Sequence, residues 1–463
     1  MEKQKNIKPQ ISVIMPCLNM ARYIEECMES IIHQTLENIE IIVVDAGSTD
    51  GTLDILEEYL HKDHRIKLFR SEKKSYGHQV NLGIINALGE YIAIVDADDR
   101  IVPDMYETLY PIAVKTGADY VKGAVDYFYT VKDKYIFRSK YMPFRKDEYG
   151  EGGIEIIPRQ MPGLILKDNF LWYGIYRSDF FKRIRFHESP GAAYQDFGAL
   201  LQTQLNAEKA VYIEKTVYEY RQDNMGASGY NPKAFGFIIN EYDWSEAFLE
   251  GKTQEWHTAF YCKLFLHTLS RFYAMVYLGC YWREGEAALD VIKDRICHAL
   301  DNGFIDTKNF NDLQQEYFQV FIKQPADLFK MLDKRWEPSW KEIQDVFQAI
   351  AGKDVVIFGG GQSGSFFHLL MLNNHMENVM AFCDNNDLLR DGMLHGLSIL
   401  TPEEAASKYP DAMYVITNKK CSGEMKAQLI RFGIEDKNIV CAFIAKNINL
   451  FKRRLSLGME AKK

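Results

Sequence analysis

The sequence predicts an α/β protein in three parts: a largely parallel sheet with crossover helices, a helical middle region, and a smaller C-terminal α/β unit. Three observations predict it. Up to about residue 125, short β-rich runs alternate with helical patterns, the pattern of strands joined by crossover helices. Two of those runs end in carboxylates, at Asp45 and at Asp96-Ala97-Asp98-Asp99. A fresh strand, Asp354 to Phe358, then opens into Gly359-Gly360-Gly361-Gln362-Ser363-Gly364.

In chain order, Ile11 to Met15 reads as the first strand, ended by Pro16. Ile24, Cys27, Met28, Ile31 and Ile32 follow at i, i+3, i+4, i+7 and i+8, which gives a helix with one buried face. Ile39 to Val44 is the second strand and stops at Asp45. The turn Ala46-Gly47-Ser48-Thr49-Asp50-Gly51 leads into a helix carrying Leu53, Leu56 and Leu60. Ile66 to Phe69 is a third strand, Gln79 to Leu88 a third helix, and Tyr91 to Val95 the strand that meets the acidic cluster. Residues 126–230 read as rich in aromatics and loops, and 231–350 as helical. The expected domains are 1–230, a helical region 231–350, an α/β domain 351–447 and a basic tail 448–463.

The 463 residues exceed what one core usually holds. The formal net charge of -9, with no extended basic stripe in the body, argues against a nucleic-acid partner. No run of about 18 apolar residues occurs and the start MEKQKNIKPQ lacks a secretory core, so a cytoplasmic location is expected. The eight cysteines are scattered without a CxxC pair, which points to reduced, buried filler rather than a zinc site or disulfide framework.

The acidic cluster carries the chemistry. A buried strand cannot hold those charges in its interior, so they emerge together at its C-terminal end, where open α/β sheets bind ligands. Magnesium or manganese takes oxygen ligands, usually one or two carboxylates with substrate phosphates in other positions, so the cluster suits a metal-diphosphate compound.

The order of motifs, strand-Pro16-Cys17-Leu18-Asn19, strand-Asp45-Ala-Gly-Ser-Thr-Asp-Gly, Asn81-Leu82-Gly83 and Asp96-Ala97-Asp98-Asp99, resembles the family 2 glycosyltransferases with the GT-A fold. The match covers roughly the first half of the chain. It implies a nucleotide-sugar donor, usually a UDP-sugar, held through a divalent metal. By that likeness Pro16, Asn19 and Asp45 line the nucleoside pocket, Asp45 accepting a hydrogen bond from the base. Asp96 faces ribose or a metal-bound water, Asp98 is the direct metal ligand, and Asp99 assists or caps the next helix. Taken alone, Asp45 also reads as a helix N-terminal charge and the cluster as a solvated acidic turn. Asn81 falls at a donor-side position, and Tyr76, His78 and Gln79 either contact the donor or form a capped helix start.

Inverting transfer needs one base opposite the leaving diphosphate. Within Ser189 to Gly198, Asp196 matches the position where this family commonly carries Glu-Asp with the Asp as base, and Gln195 departs from that pattern. Arg221, in Tyr218-Glu219-Tyr220-Arg221, resembles the Tyr-Arg strand end of many such enzymes; it either clamps the diphosphate or pairs with an acidic neighbour and fixes a loop. Trp172 and Tyr173 read as core or as a stacking platform for an acceptor sugar.

The Gly359 to Gly364 loop with Asp384 beyond it has the spacing of a dinucleotide fingerprint. It resembles the small Rossmann-like domains appended to sugar-modifying enzymes. The tail Lys446 to Leu455 mixes apolar and basic residues and reads either as a segment in peripheral contact with the inner face of a membrane or as a frayed, solvated terminus. The sequence therefore points to a metal-dependent (Mn or Mg) inverting transferase acting from a UDP-sugar onto a glycan or lipid-linked acceptor. An NAD-dependent oxidoreductase built on the C-terminal loop, or a non-catalytic assembly protein, are the alternatives.

Overall fold

The computed structural model describes residues 8–131, 134–191, 193–222, 224, 233–278, 286–374, 376–386, 389 and 392–443. The basic tail from Lys446 onward lies outside the described residues. The chain divides into two compact units: residues 1–129, 139–271 and 282–325, and residues 130–138, 272–281 and 326–463.

The first unit begins with β1 (Ile11–Cys17), α1 (Ile24–Ile32), β2 (Ile39–Asp45), α2 (Thr52–Lys62), β3 (Ile66–Arg70), α3 (Tyr76–Asn86) and β4 (Tyr91–Ile94). It continues through β5 (Arg100–Ile101), α4 (Met105–Thr116), most of β6 (Tyr120–Val131), the end of β7 (Lys134–Tyr141), whose first residues fall in the second unit, β8 (Ile154–Ile156), α5 (Leu164–Lys167), β9 (Gly174–Arg177) and α6 (Ser178–Phe181). Next come α7 (Gln195–Asn206), β10 (Ala210–Arg221), α8 (Ala234–Glu246), α9 (Gln254–Leu278), α10 (Glu286–Asp301) and α11 (Asp312–Lys323).

The main sheet runs β3-β2-β1-β4-β9-β6-β10-β5. β1, β2, β3 and β4 are mutually parallel, with Ile11 opposite both Ile39 and Tyr91. Helices cover parallel strands on both faces, so β1, β2 and β4 are buried along their whole length and read as continuous apolar runs. Glu40 is the exception inside β2. Its carboxylate is 3% exposed and accepts from Ser12 Oγ at 2.5 Å, the Leu88 N–H at 2.6 Å and Lys67 Nζ at 2.7 Å, so the buried charge is fully partnered.

Four sequence expectations shift. β1 runs through Pro16 to Cys17. Its ladder with β4 ends at Ile14–Ile94, two residues earlier, so the missing proline N–H falls where that ladder has already opened. α3 starts at Tyr76, three residues before expected, because Ser75 caps it by accepting from the His78 N–H. The aromatic stretch 126–230 contributes β9 and all of β10 to the main sheet, and Tyr176, Tyr212, Tyr218 and Tyr220 are strand residues there. α8, α10 and α11 belong to the first unit with the sheet, their apolar faces closed by residues such as Phe235, Ile292 and Phe318.

The second unit contains most of α12 (Pro325–Ile350), then β11 (Val355–Phe358), α13 (Gln362–Asn373), β12 (Val379–Cys383), β13 (Met393–Leu394) and β14 (Leu397–Leu400). α14 (Pro402–Lys408), β15 (Met413–Ile416), α15 (Ser422–Arg431) and β16 (Ile439–Cys441) complete it. Its sheet has the order β13-β14-β12-β11-β15-β16 and is parallel except for β13. A Cβ on Gly364 would stand 1.8 Å from the Gly359 carbonyl oxygen, so this glycine lets α13 close onto the loop.

Candidate functional site

The ends of β1 and β2 carry two loops that are zipped together. The Asn19 N–H donates to Ser48 Oγ at 2.8 Å, the Met20 N–H to Thr52 Oγ1 at 2.7 Å and the Ala21 N–H to Asp50 Oδ2 at 3.0 Å. In return, the Thr49 N–H donates to Asn19 Oδ1 at 2.9 Å. Asn19 takes a left-handed conformation, φ 56°, which asparagine tolerates better than most residues. Asp45 is wholly buried beneath this patch. Its Oδ1 accepts from the Gly47 and Ser48 N–H groups at 2.9 and 3.1 Å and from Arg70 at 3.2 Å, and Ser48 Oγ donates to its Oδ2 at 2.5 Å. Both carboxylate oxygens are thus engaged within the loop.

The acidic cluster leaves β4 with its three carboxylates turned to different tasks. Asp99 points inward, wholly buried, and accepts from Tyr218 Oη at 2.8 Å and the Arg221 N–H at 2.8 Å. Tyr218 Oη also accepts the Asp96 N–H at 3.2 Å, so one phenol ties β10 to both ends of the turn. Asp96 and Asp98 are half-buried. Tyr76 Oη donates to Asp96 Oδ1 at 3.1 Å, and Asn224 Nδ2 to Asp98 Oδ2 at 2.7 Å. Burial first, then the neighbouring Asp98 charge, pushes Asp96 up to about 8; burial and the same neighbours hold Asp99 well above the carboxylate range. Among the described residues, no group of three or more His, Cys, Asp and Glu side chains could hold a metal ion unaided.

Arg221 is 4% exposed and does not reach outward. Its Nε donates at 2.6 Å to the Asp98 carbonyl, its Nη2 donates at 2.5 Å to Glu26 Oε2, and the guanidinium lies over the rings of Phe128 and Tyr23. Of the two roles the sequence leaves open, this geometry is that of the loop-fixing one. Glu26, its partner on α1, carries no motif that would have revealed it.

Asp196 sits at the first turn of α7, where the helix N-terminus favours a negative charge. Burial outweighs this and raises its carboxyl to about 6, while Lys263 on α9 acts in the opposite sense. Gln195 bonds Gly77 and Ser75 while Tyr76 bonds Asp96, so the start of α7 is tied to the end of β4, and the Asp196 charge acts to raise both Asp96 and Tyr76. Gln195, beside it, is 1% exposed. Its Oε1 accepts from the Gly77 N–H at 2.6 Å and Ser75 Oγ at 3.3 Å, and its Nε2 donates to Ser189 Oγ at 2.8 Å and to the Ser189 carbonyl.

Other sequence candidates serve the scaffold. Asn81 donates to the Phe186 carbonyl at 2.9 Å and to Glu188 at 3.0 Å, and accepts from the Phe186 N–H at 3.0 Å, so both ends of its amide hold residues 186–188. Gln79 Nε2 donates to the Cys17 and Val44 carbonyls, and His78 pairs with Ser71. Trp172 is 4% exposed and stacks on Phe170 and Tyr218, within the core. In the second unit, Asp384 accepts from the Gly360 N–H at 2.6 Å and the Asn386 N–H at 2.8 Å, bracing the glycine loop. Among the described residues, no helix is long and apolar enough to cross a membrane.

A strand-end acidic cluster on the parallel strands of a mixed sheet, with zipped loops at the neighbouring strand ends, defines a GT-A-like fold. The profile of Glycosyl transferase family 2 matches residues 12–185. GlyG of Streptococcus pneumoniae serotype 4 is 34% identical over 217 residues, covering 46% of this chain and 70% of GlyG. The chain belongs to glycosyltransferase family 2. GlyA of the same organism is 33% identical over 221 residues, which are 46% of this chain and 31% of GlyA; the chain thus spans about a third of that longer relative. S. aureus TarS 1-349 in complex with UDP-GlcNAc is alike in fold, with a TM-score of 0.50 and 18% identity over 71% of this chain and 92% of that one.

Proposed function

We propose that this chain transfers a hexosyl or N-acetylhexosaminyl group from a nucleoside diphosphate sugar, a UDP-sugar first, to a hydroxyl of a cell-surface glycan or lipid-linked precursor, with inversion. One observation carries the reading: Gln195, next to Asp196, bonds the Gly77 N–H and Ser75 Oγ on either side of Tyr76, whose phenol donates to Asp96, so the start of α7 is tied to the acidic end of β4.

Asp98, helped by Asp96, would hold manganese or magnesium. The oxygen-only donor set suits a hard divalent cation, and the mutual repulsion of the two carboxylates is what such a charge relieves. Bound there, the cation supplies neutralisation of the charge that develops on the leaving diphosphate. Tyr76 and Asn224 orient the two carboxylates, and Arg221 fixes the Asp98 backbone. Asn19 and the zipped loops form the floor under the nucleoside, and the buried Pro16 and Asp45 support that floor from beneath rather than reaching the base. Asn81 acts through the 186–188 segment it holds. Asp196 takes the acceptor hydroxyl's proton as that oxygen attacks the anomeric carbon opposite the leaving group.

Calorimetric titration with UDP, GDP, CDP and NAD, each with and without manganese, tests the reading. UDP binding that needs manganese, followed by turnover of a UDP-sugar such as UDP-GlcNAc, is expected. NAD binding with no nucleoside diphosphate bound would instead favour an oxidoreductase.

A further inference from the structure

We infer that a cavity along the first turns of α9 holds the sugar chain of the acceptor; this rests on the transfer reading above and names the other half of that site. The cavity has a volume of about 630 Å³, and its walls include Pro162, Leu166, Gln254, Glu255, Thr258 and Asn309. None of its lining residues is basic. The amides and the hydroxyl both donate to and accept from sugar hydroxyls and the carboxylates accept from them, whereas a phosphate here would meet Glu255 and Asp306 without a compensating cation. The matching ligand is a neutral, hydroxyl-rich glycan.

Two walls of the cavity lead to the proposed base. Along α9, Lys263 follows Ala259 by one turn, about 6 Å at the helical rise, and lies about 13 Å beyond Gln254. Lys263 is 3% exposed, its ammonium donates to Asn169 Oδ1, and its charge reaches Asp196. The other wall, residues 162–166, runs directly into Asp168 and Asn169. Both walls therefore lead to the Asn169–Lys263 contact, and Phe197, the residue after Asp196, packs against Phe260 and His267 to either side of Lys263 along α9. A glycan lying along α9 would bring its terminal hydroxyl toward that carboxylate and leave the cluster on β4 free for the donor.

The test uses the full chain, with calorimetric titration of chitopentaose, maltopentaose and cellopentaose in the presence of UDP and manganese. Thr258→Trp fills the cavity, and Glu255→Lys changes an exposed rim residue whose replacement spares the core. At least one pentasaccharide should bind the wild type, and both variants should weaken it about tenfold or more while UDP binding is unchanged. Unchanged glycan affinity in both variants, or no pentasaccharide bound by protein that binds UDP, would overturn the assignment of this cavity alone. Absence of manganese-dependent UDP binding in the wild type would overturn the transfer reading and this one with it.

Discussion

Gln195 accepts the backbone N–H of Gly77 at 2.6 Å, joining the start of α7 to the start of α3 across 118 residues of sequence. The same side chain donates to Ser189, so it needs one accepting and one donating end. An amide has both; a carboxylate has only acceptors. Gln195→Glu, which restores the Glu-Asp pair common in the family, should therefore destabilise this protein by about 1–3 kcal/mol, the cost of a buried group left unpaired. A lower midpoint in thermal or denaturant unfolding checks it, and an unchanged midpoint would remove the bridging role.

Gly77 approaches the 187 backbone so closely that a Cβ there would lie 1.9 Å from the His187 carbonyl oxygen. Gly77→Ala should cost about 1–3 kcal/mol through forced displacement of backbone. Because Tyr76 is the adjacent residue and bonds Asp96, the same variant should weaken UDP binding, which calorimetry would register.

Asp98 and Asp196 should separate binding from chemistry. Asp98→Ala is expected to abolish manganese-dependent UDP binding. Asp196→Asn should leave UDP binding near normal and lower transfer about 10²- to 10⁴-fold, the range for loss of a positioned general base. Normal turnover in Asp196→Asn would end its assignment as base.

Transfer at saturating donor and metal should rise with pH through about 6 and then level off. Asp196, raised to about 6, acts as a base only when ionised, so protonation below that value removes activity. The groups that interact with it are Lys263 from α9, Glu241 and Tyr242 from α8, Tyr194 before α7, and Asp96 and Tyr76 from the donor side. Lys263 is the cation that favours the ionised form, so Lys263→Met should move the acidic limb of the kcat profile to higher pH. A limb that stays in place would show that the two side chains do not communicate.

Lys122 and Asp168 form a fully buried ion pair at 2.6 Å, with Tyr212 Oη donating to the same carboxylate at 2.7 Å and Lys122 donating to the Phe170 carbonyl at 2.6 Å. Lys122→Met strands the carboxylate and should cost about 3–5 kcal/mol. Lys122→Met combined with Asp168→Asn should recover part of that loss in an unfolding titration, since no net charge is then left inside.

The donor half was legible because its rules are local. Alternation of apolar runs marks buried strands, and a charge stays inside one only when fully partnered, as Glu40 is, so Asp45 and the Asp96 to Asp99 cluster are expected at strand ends. The scaffold roles of Asn81 and Gln79 were not legible, because their partners at Phe186, Glu188, Cys17 and Val44 lie far away in sequence. Glu26, Asn169 and Lys263 carried no spacing signal at all, since each acts on a residue from another element.

What the sequence determined by itself is the α/β class, the position of the acidic cluster and the membership in family 2 that its ordered motifs announce. Only the tertiary structure decided how the carboxylates are placed: Asp99 inward on Tyr218, Asp96 and Asp98 half-buried, the start of α7 tied by Gln195 to the segment that bonds Asp96, and Arg221 drawn to Glu26. The physical reason is range. Strand and helix patterns follow from neighbours a few residues apart, whereas a carboxylate's burial, partners and proton affinity depend on groups that folding alone brings within a few ångströms.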